Sequence, residues 1–271
     1  MSKMPSIEQF RHIIKSVRKT TQFQGYDVDG NPIMDRNVKY PILTVNGTVK
    51  CHGTNASVKY DPSLGLVCQS KKHKITPEKD NAGFAQFIHA RKDFFEDLMN
   101  NIFMYFCAPD DKEATLFGEF AGKGIQKGVA VSEIEKTFFI FGIRIKDNEG
   151  ISRWITDDQF DGFFSLNDTA KIHDRVYNLR RIKTYQVEVD FNNPEFANNI
   201  FADIVKEVEK ECPVGKFFNI SGVGEGVVFN LNLLKIEKNN NKIFINNRNV
   251  SKKLERELLN KLSEGIYFFN I

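Results

Sequence analysis

The residues best suited to chemistry are Lys50-Cys51-His52-Gly53-Thr54-Asn55, which follow an apolar, strand-like run. A lysine at a strand end can act as a nucleophile only when neutral, so its site must lower its pKa by desolvation or a nearby cation. Gly53 carries no Cβ, which lets the backbone approach a bound nucleotide closely. Thr54 and Asn55 can bond a ribose or a phosphate without adding charge. Taken alone, the segment is more simply a surface lysine ahead of a tight turn. Other candidates are equally plain in isolation. Glu225 beside Gly226 is a turn residue, and Phe139 and Phe141 alternate as in any half-buried strand. The stretch from Gly118 to Gly128 is rich in glycine but lacks the GxxxxGK[ST] spacing, and reads as a hairpin, not a phosphate loop. His73, His89 and His173 have no partners at metal spacing and read as surface or structural residues.

These groups need elements to hold them. A capping-box spacing, Ser6 to Gln9, predicts an opening helix whose buried face carries Phe10, Ile13, Ile14 and Val17. Short strands follow around residues 56–60 and 66–69, joined by a turn at Asp61-Pro62-Ser63 with Gly65. Residues 82–102 read as a helix with an apolar stripe of Phe84, Phe87, Ile88, Phe95, Leu98, Met99 and Ile102. Strands resume at 115–120 and 137–145, and a turn at 147–150 leads into a hairpin partner over 151–155. Asn193-Pro194 opens another helix, which Pro213 ends, and 224–231 is a final strand. From Asn230 the chain turns rich in Asn, Lys and Ile, with a short amphipathic helix over 251–262.

Composition sets the class. The 271 residues are 41% hydrophobic and 27% charged, which suits one large soluble domain. A net charge of +3 marks no general nucleic-acid sponge, so an RNA or DNA partner is gripped locally. The four cysteines are scattered, with neither a CxxC pair nor a histidine at ligand spacing, and read as reduced thiols. The apolar run Phe138-Phe139-Ile140-Phe141-Gly142-Ile143 is too short to cross a bilayer, and no signal peptide is visible. The expected setting is the cytoplasm, or the host cytoplasm for a viral protein.

Lys-x-His-Gly-Thr-Asn over 50–55 resembles the nucleophile motif of the covalent nucleotidyltransferases. Within them it is similar to ATP-dependent RNA ligases of the double-strand nick-sealing type, found in bacteriophages and kinetoplastids. DNA ligases and capping enzymes usually carry Lys-x-Asp-Gly there, so His52 points to the RNA-ligase branch. Residues 117–127, reading Phe-Gly-Glu-Phe-Ala-Gly-Lys-Gly-Ile-Gln-Lys, resemble the phage ligases almost residue for residue. Phe139-Ile140-Phe141-Gly142-Ile143 stands where the family has its aromatic strand beneath adenine, and Glu225-Gly226-Val227-Val228-Phe229 is similar to its Glu-Gly strand.

The resemblance implies an α+β fold, a nucleotidyltransferase (ATP-grasp-like) domain with antiparallel sheets around an ATP cleft and helices outside. It implies a single adenylyltransferase domain over residues 1–271, with an atypical tail over 230–271 and no OB-fold. The implied activity joins RNA 3′-OH to 5′-phosphate ends, in a nicked duplex or a single strand, through lysyl-AMP at Lys50. Val49, Cys51, His52, Gly53, Asn55 and Lys71 would line the nucleotide site. Glu119 would hold the ribose, Phe141 would stack on adenine, and Glu225 would order Mg²⁺ or Mn²⁺. Arg248 would face the ATP phosphates. The sequence departs from the family at Lys71 (usually Arg), Gly142 (usually Asp), Asn230 (often Lys) and 245–249, where Arg248 stands in place of a Lys-x-Lys motif. Lys235, Lys238 or Lys242 could supply that motif from a shifted register. Two alternatives follow: a degenerate ligase that binds nucleotide or RNA ends with little or no sealing, and a capping-type guanylyltransferase, which His52 disfavours.

Overall fold

The computed structural model describes residues 7–61, 64–80, 82–108, 111–165 and 169–232, together with the backbone of the strand at 266–270. Ser6, the helix expected over 251–262, Arg248 and the lysines at 235, 238 and 242 lie outside the described residues.

Two sheets organise the chain. The first joins β1 (Ile7–Gln9), β4 (Ile42–Val49), β13 (Thr184–Asp190), β14 (Val227–Asn232) and β15 (Ile266–Asn270) in the order β1-β15-β14-β4-β13. The second holds β5 (Thr54–Asp61), β6 (Gly65–Ser70), β7 (Lys74–Ile75), β8 (Asp111–Ala121), β9 (Thr137–Asp147), β11 (Lys171–His173) and β12 (Val176–Asn178). Its order is β11-β12-β9-β8-β5-β6-β7, and β10 (Ser152–Trp154) also pairs with β9. A separate hairpin joins β2 (Phe23–Tyr26) to β3 (Pro32–Met34). The pairings are antiparallel except β1 with β15 and β9 with β12, so the expected α+β architecture is the one observed.

Among the described residues six α-helices accompany the sheets: α1 (Phe10–Gln22), α2 (Phe84–His89), α3 (Lys92–Phe106), α4 (Asp157–Phe163), α5 (Phe196–Lys210) and α6 (Pro213–Phe217). In α1 the residues Phe10, Ile13 and Val17 bury one face, as their spacing requires. Its start differs from expectation. Residues 7–9 are extended and pair with 268–270, so their backbone groups are satisfied in a sheet and the helix begins only at Phe10, with no side-chain cap from Gln9. The single helix expected over 82–102 is two. Arg91 leaves helical geometry, its guanidinium lying 3.9 Å from the Phe87 ring centre and 2.6 Å from Asp174, while the whole predicted apolar stripe stays buried across the break. Pro213 does not end α5, which is over by Lys210; it opens α6, where its missing N–H costs nothing. No helix among the described residues is long and apolar enough to cross a membrane.

Phenylalanine builds both cores. On the first sheet Phe201 contacts Phe10 and Phe229 edge-on, with ring centres 5.1 and 4.7 Å apart. On the second, Phe84 packs on Phe120 and Phe138 at 5.3 and 4.8 Å. Phe138 and Phe229 are fully buried. Truncating either, as Phe138→Ala or Phe229→Ala, is expected to lower unfolding free energy by about 3–5 kcal/mol in urea denaturation. A loss below about 1 kcal/mol would contradict the packing described.

Candidate active site

The motif at 50–55 is the crossing between the two sheets. β4 ends at Val49 and β5 begins at Thr54, so Lys50 to Gly53 carry the chain from one sheet to the other. The Lys50 N–H donates to the Gly226 carbonyl at 2.9 Å, extending the β4–β14 ladder by one bond. Cys51 turns into the first core, where burial, and then the negative charge of Glu119, push its thiol well above the ordinary range. It is therefore no rival nucleophile. Gly53 is required by packing: a Cβ there would collide with the Phe120 carbonyl of β8. The close approach is thus first to a neighbouring strand.

The reacting groups converge on one carboxylate. Lys50 Nζ lies 2.5 Å from Glu225 Oε1, and His52 Nδ1 lies 3.2 Å from Glu225 Oε2. All three side chains are about one-third exposed or less. A second carboxylate shares the cleft. Glu119 stands opposite Asn55 in the β5–β8 ladder and accepts from the Gly53 N–H and the Asn55 side chain. Burial raises its pKa most and the charge of Glu225 next, and together they outweigh those bonds and Lys50 to set it at about 8. Glu119 therefore carries a proton at neutral pH.

A cavity of about 410 Å³ opens over these groups. Val49, Lys50, Cys51, His52, Gly53 and Asn55 line it from the sheet crossing. Lys71 reaches it from the end of β6, Glu119 from β8, half-buried Phe141 from β9, and Glu225 from ahead of β14. The structure thus gathers every site residue expected from the sequence except Arg248, which lies outside the described residues.

Sequence reasoning missed a polar network on the same wall. Asp157, in the first turn of α4, accepts from Asn46 at 2.7 Å and Asn230 at 2.8 Å. Arg180, from a short 3₁₀ turn at Leu179–Arg181, pairs with Asp157 and with Asp161, both at 3.1 Å. Asn230, where the resembled ligases often have lysine, is tied to Asp157 beside Arg180, whose charge is met by Asp157 and Asp161. A carboxylate only accepts, so the Asn230 amide must turn its NH₂ to Asp157; its Oδ1 is left buried without a partner among the described residues. Gly142, where the family usually has Asp, is also explained: a Cβ would stand 2.9 Å from the Trp154 ring.

Glu225, partly exposed in the cleft beside Lys50 and His52, is the carboxylate that suits a divalent metal, whereas Glu119 holds a proton. Among the described residues no three His, Cys, Asp or Glu form a ready cage.

A family model described as RNA ligase matches residues 43–268. A comparison with curated protein sequences gives no match. Among solved structures, the fold is similar to that of Naegleria gruberi RNA ligase with pyrophosphate, at a TM-score of 0.50 and 16% identity, over 84% of this chain and 52% of that one. A mutant apo form of the same ligase gives the same four values. A mutant with ATP and Mn gives 0.48 and 15% over the same shares. This chain spans about half the length of those it matches, and at such identity the likeness is one of fold.

The raised pKa of Glu119 has a measurable sign. The folded protein keeps a proton there that the unfolded chain releases near 4.5, so the resulting stability is full below that pH and is lost as pH rises through about 8. Melting temperatures of wild type should fall relative to Glu119→Gln across that window. Parallel curves from pH 5 to 8.5 would show Glu119 to be ionised throughout.

Proposed function

Because the chain belongs to the RNA ligase family, we propose that its cleft performs ATP-dependent RNA ligation through a lysyl-AMP intermediate at Lys50. The observation that carries this reading is the Lys50–Glu225–His52 arrangement on the wall of a cavity that also holds Glu119, Lys71 and Phe141. His52, in place of an aspartate, supports the nick-sealing RNA-ligase branch. The adenylyltransferase site is assigned to a single domain.

In the first step Lys50 Nζ attacks the α-phosphorus of ATP. A P–N bond forms as the bond to the β-phosphate oxygen breaks, and pyrophosphate leaves. Glu225 Oε1 is within reach of the lysine proton, and His52 fixes the carboxylate by its other oxygen. Glu119, protonated at neutral pH, can donate to one ribose hydroxyl and accept from another. Phe141 offers a flat apolar face to adenine. AMP then passes to an RNA 5′-phosphate, and a neighbouring 3′-OH displaces it to close the strand.

Each step is an in-line phosphoryl transfer, so positioning and charge neutralisation carry most of the catalysis. Lys71 brings a cation to the cleft, whereas Arg180 is already engaged by Asp157 and Asp161. Arg248 is proposed for the phosphates on the resemblance alone. Held by Glu225, Mg²⁺ or Mn²⁺ would neutralise charge developing on the phosphates.

The direct check is to incubate the protein with Mg²⁺ or Mn²⁺ and α-labelled ATP. Label should stay on the protein through denaturation, vanish in Lys50→Ala, and fall by roughly a hundredfold or more in Glu225→Gln. No adduct with either ion would overturn the ligase reading in favour of a nucleotide- or RNA-end-binding protein, and labelling by GTP in place of ATP would favour guanylyl transfer.

A further inference from the structure

The RNA end has to reach a fixed point. For AMP to leave Lys50, an oxygen of the RNA 5′-phosphate must attack the phosphorus held there. A P–O–P anhydride forms, the P–N bond breaks, and the lysine nitrogen takes up a proton. The strand behind that phosphate must cross whatever flanks Lys50 to Gly53.

Two turns flank it. In the second sheet β5 lies between β6 and β8 and runs antiparallel to both. Ala56 pairs with Ser70 and Thr54 with Phe120, so β6 and β8 both end beside the start of β5, next to Gly53. Neighbouring strands lie about 4.8 Å apart, which sets the two exits roughly 10 Å from each other across the crossing. The first exit is the turn Ser70-Lys71-Lys72-His73 into Lys74, closed by the Ser70 N–H on the His73 carbonyl at 2.8 Å. The second is the loop from Gly122 to Gly128, whose Gln126 amide donates to the Gly53 carbonyl at 3.4 Å. Gly122, Gly124 and Gly128 take positive φ there, and half-buried Ile125 packs against the second core. That anchoring leaves Lys123, Gln126 and Lys127 exposed.

The charge on these turns has one sign. Neither 70–74 nor 122–128 contains an acidic residue. Lys72, Lys74, Lys123 and Lys127 are exposed, and none is in an ion pair among the described residues. With a net charge of only +3, such a concentration at one mouth of the cleft is local, not a general property of the surface. Resting on the ligase reading above, we infer that these two turns form a clamp for the phosphate backbone of the 5′-phosphorylated RNA strand. Lys72 and Lys74 stand on one side of the crossing and Lys123 and Lys127 on the other. The clamp acts after adenylylation and makes no demand on ATP.

The test uses the quadruple variant K72E/K74E/K123E/K127E, with K15E/K19E/K171E/K210E, at exposed positions away from the two turns, as a charge-matched control. Self-adenylylation should stay within about twofold of wild type. Binding of a 5′-phosphorylated RNA oligonucleotide, read by fluorescence anisotropy, should weaken tenfold or more. The slope of log affinity against log salt should flatten by about 0.7 for each lysine that meets a phosphate. AMP transfer from pre-adenylylated protein should slow by a similar factor, while the control changes none of these. Unchanged RNA binding and transfer in a variant that still takes up AMP would overturn the clamp and leave the ligase reading intact. A wild type that takes up no AMP but binds the RNA through these lysines would overturn the ligase reading and keep the clamp.

Discussion

The site depends on the ladder between β4 and β14. Val49 pairs with Val227, and one further backbone bond joins the Lys50 N–H to the Gly226 carbonyl. That register brings together Lys50 and Glu225, which are 175 positions apart in sequence. A slip of one residue would turn every side chain of β14 to the opposite face and part the amine from its carboxylate. The pairing also sets where β4 stops, hence where the chain crosses to the second sheet and where β5 must start.

Electrostatics then acts on a fixed frame. Glu119 and Glu225 come from different sheets and repel across the cleft, so burial and that repulsion leave Glu119 protonated at neutral pH. The frame can hold this unfavourable pair because its two cores are dense with buried phenylalanine and carry the stability. The Asp157 network adds a tie of another kind. Asn46 and Asn230, from adjacent strands, share the two oxygens of one carboxylate, and Arg180 offsets its charge. A half-buried charge held by Asn46, Asn230 and Arg180 is costly to disturb from either side.

Much of this was legible in the sequence, for a physical reason. Lys50, Glu119, Phe141 and Glu225 each sit on or next to a strand, where a short motif fixes both neighbours and facing. The apolar stripe of 84–102 was readable because burial follows helical period even across a break. The break itself was not, since it comes from Arg91 reaching Asp174, a contact that leaves no local trace. Ser6 to Gln9 misled because backbone pairing with a strand far down the chain outcompeted a local cap. Asp157 and Arg180 were invisible for the same reason. Their partners lie on other elements, and only the bare substitution at Asn230 hinted at a rearranged wall.

Gly142 and Trp154 show what such rearrangement means for change over time. The indole stands where a side chain at 142 would have to go, so the two positions are not independent. A carboxylate placed at 142 alone would meet the ring, which also stands 5.0 Å from the Phe117 ring between centres. Substitutions at 142 and 154 are therefore expected to be non-additive. Engineering a side chain into position 142 therefore has to move the two together.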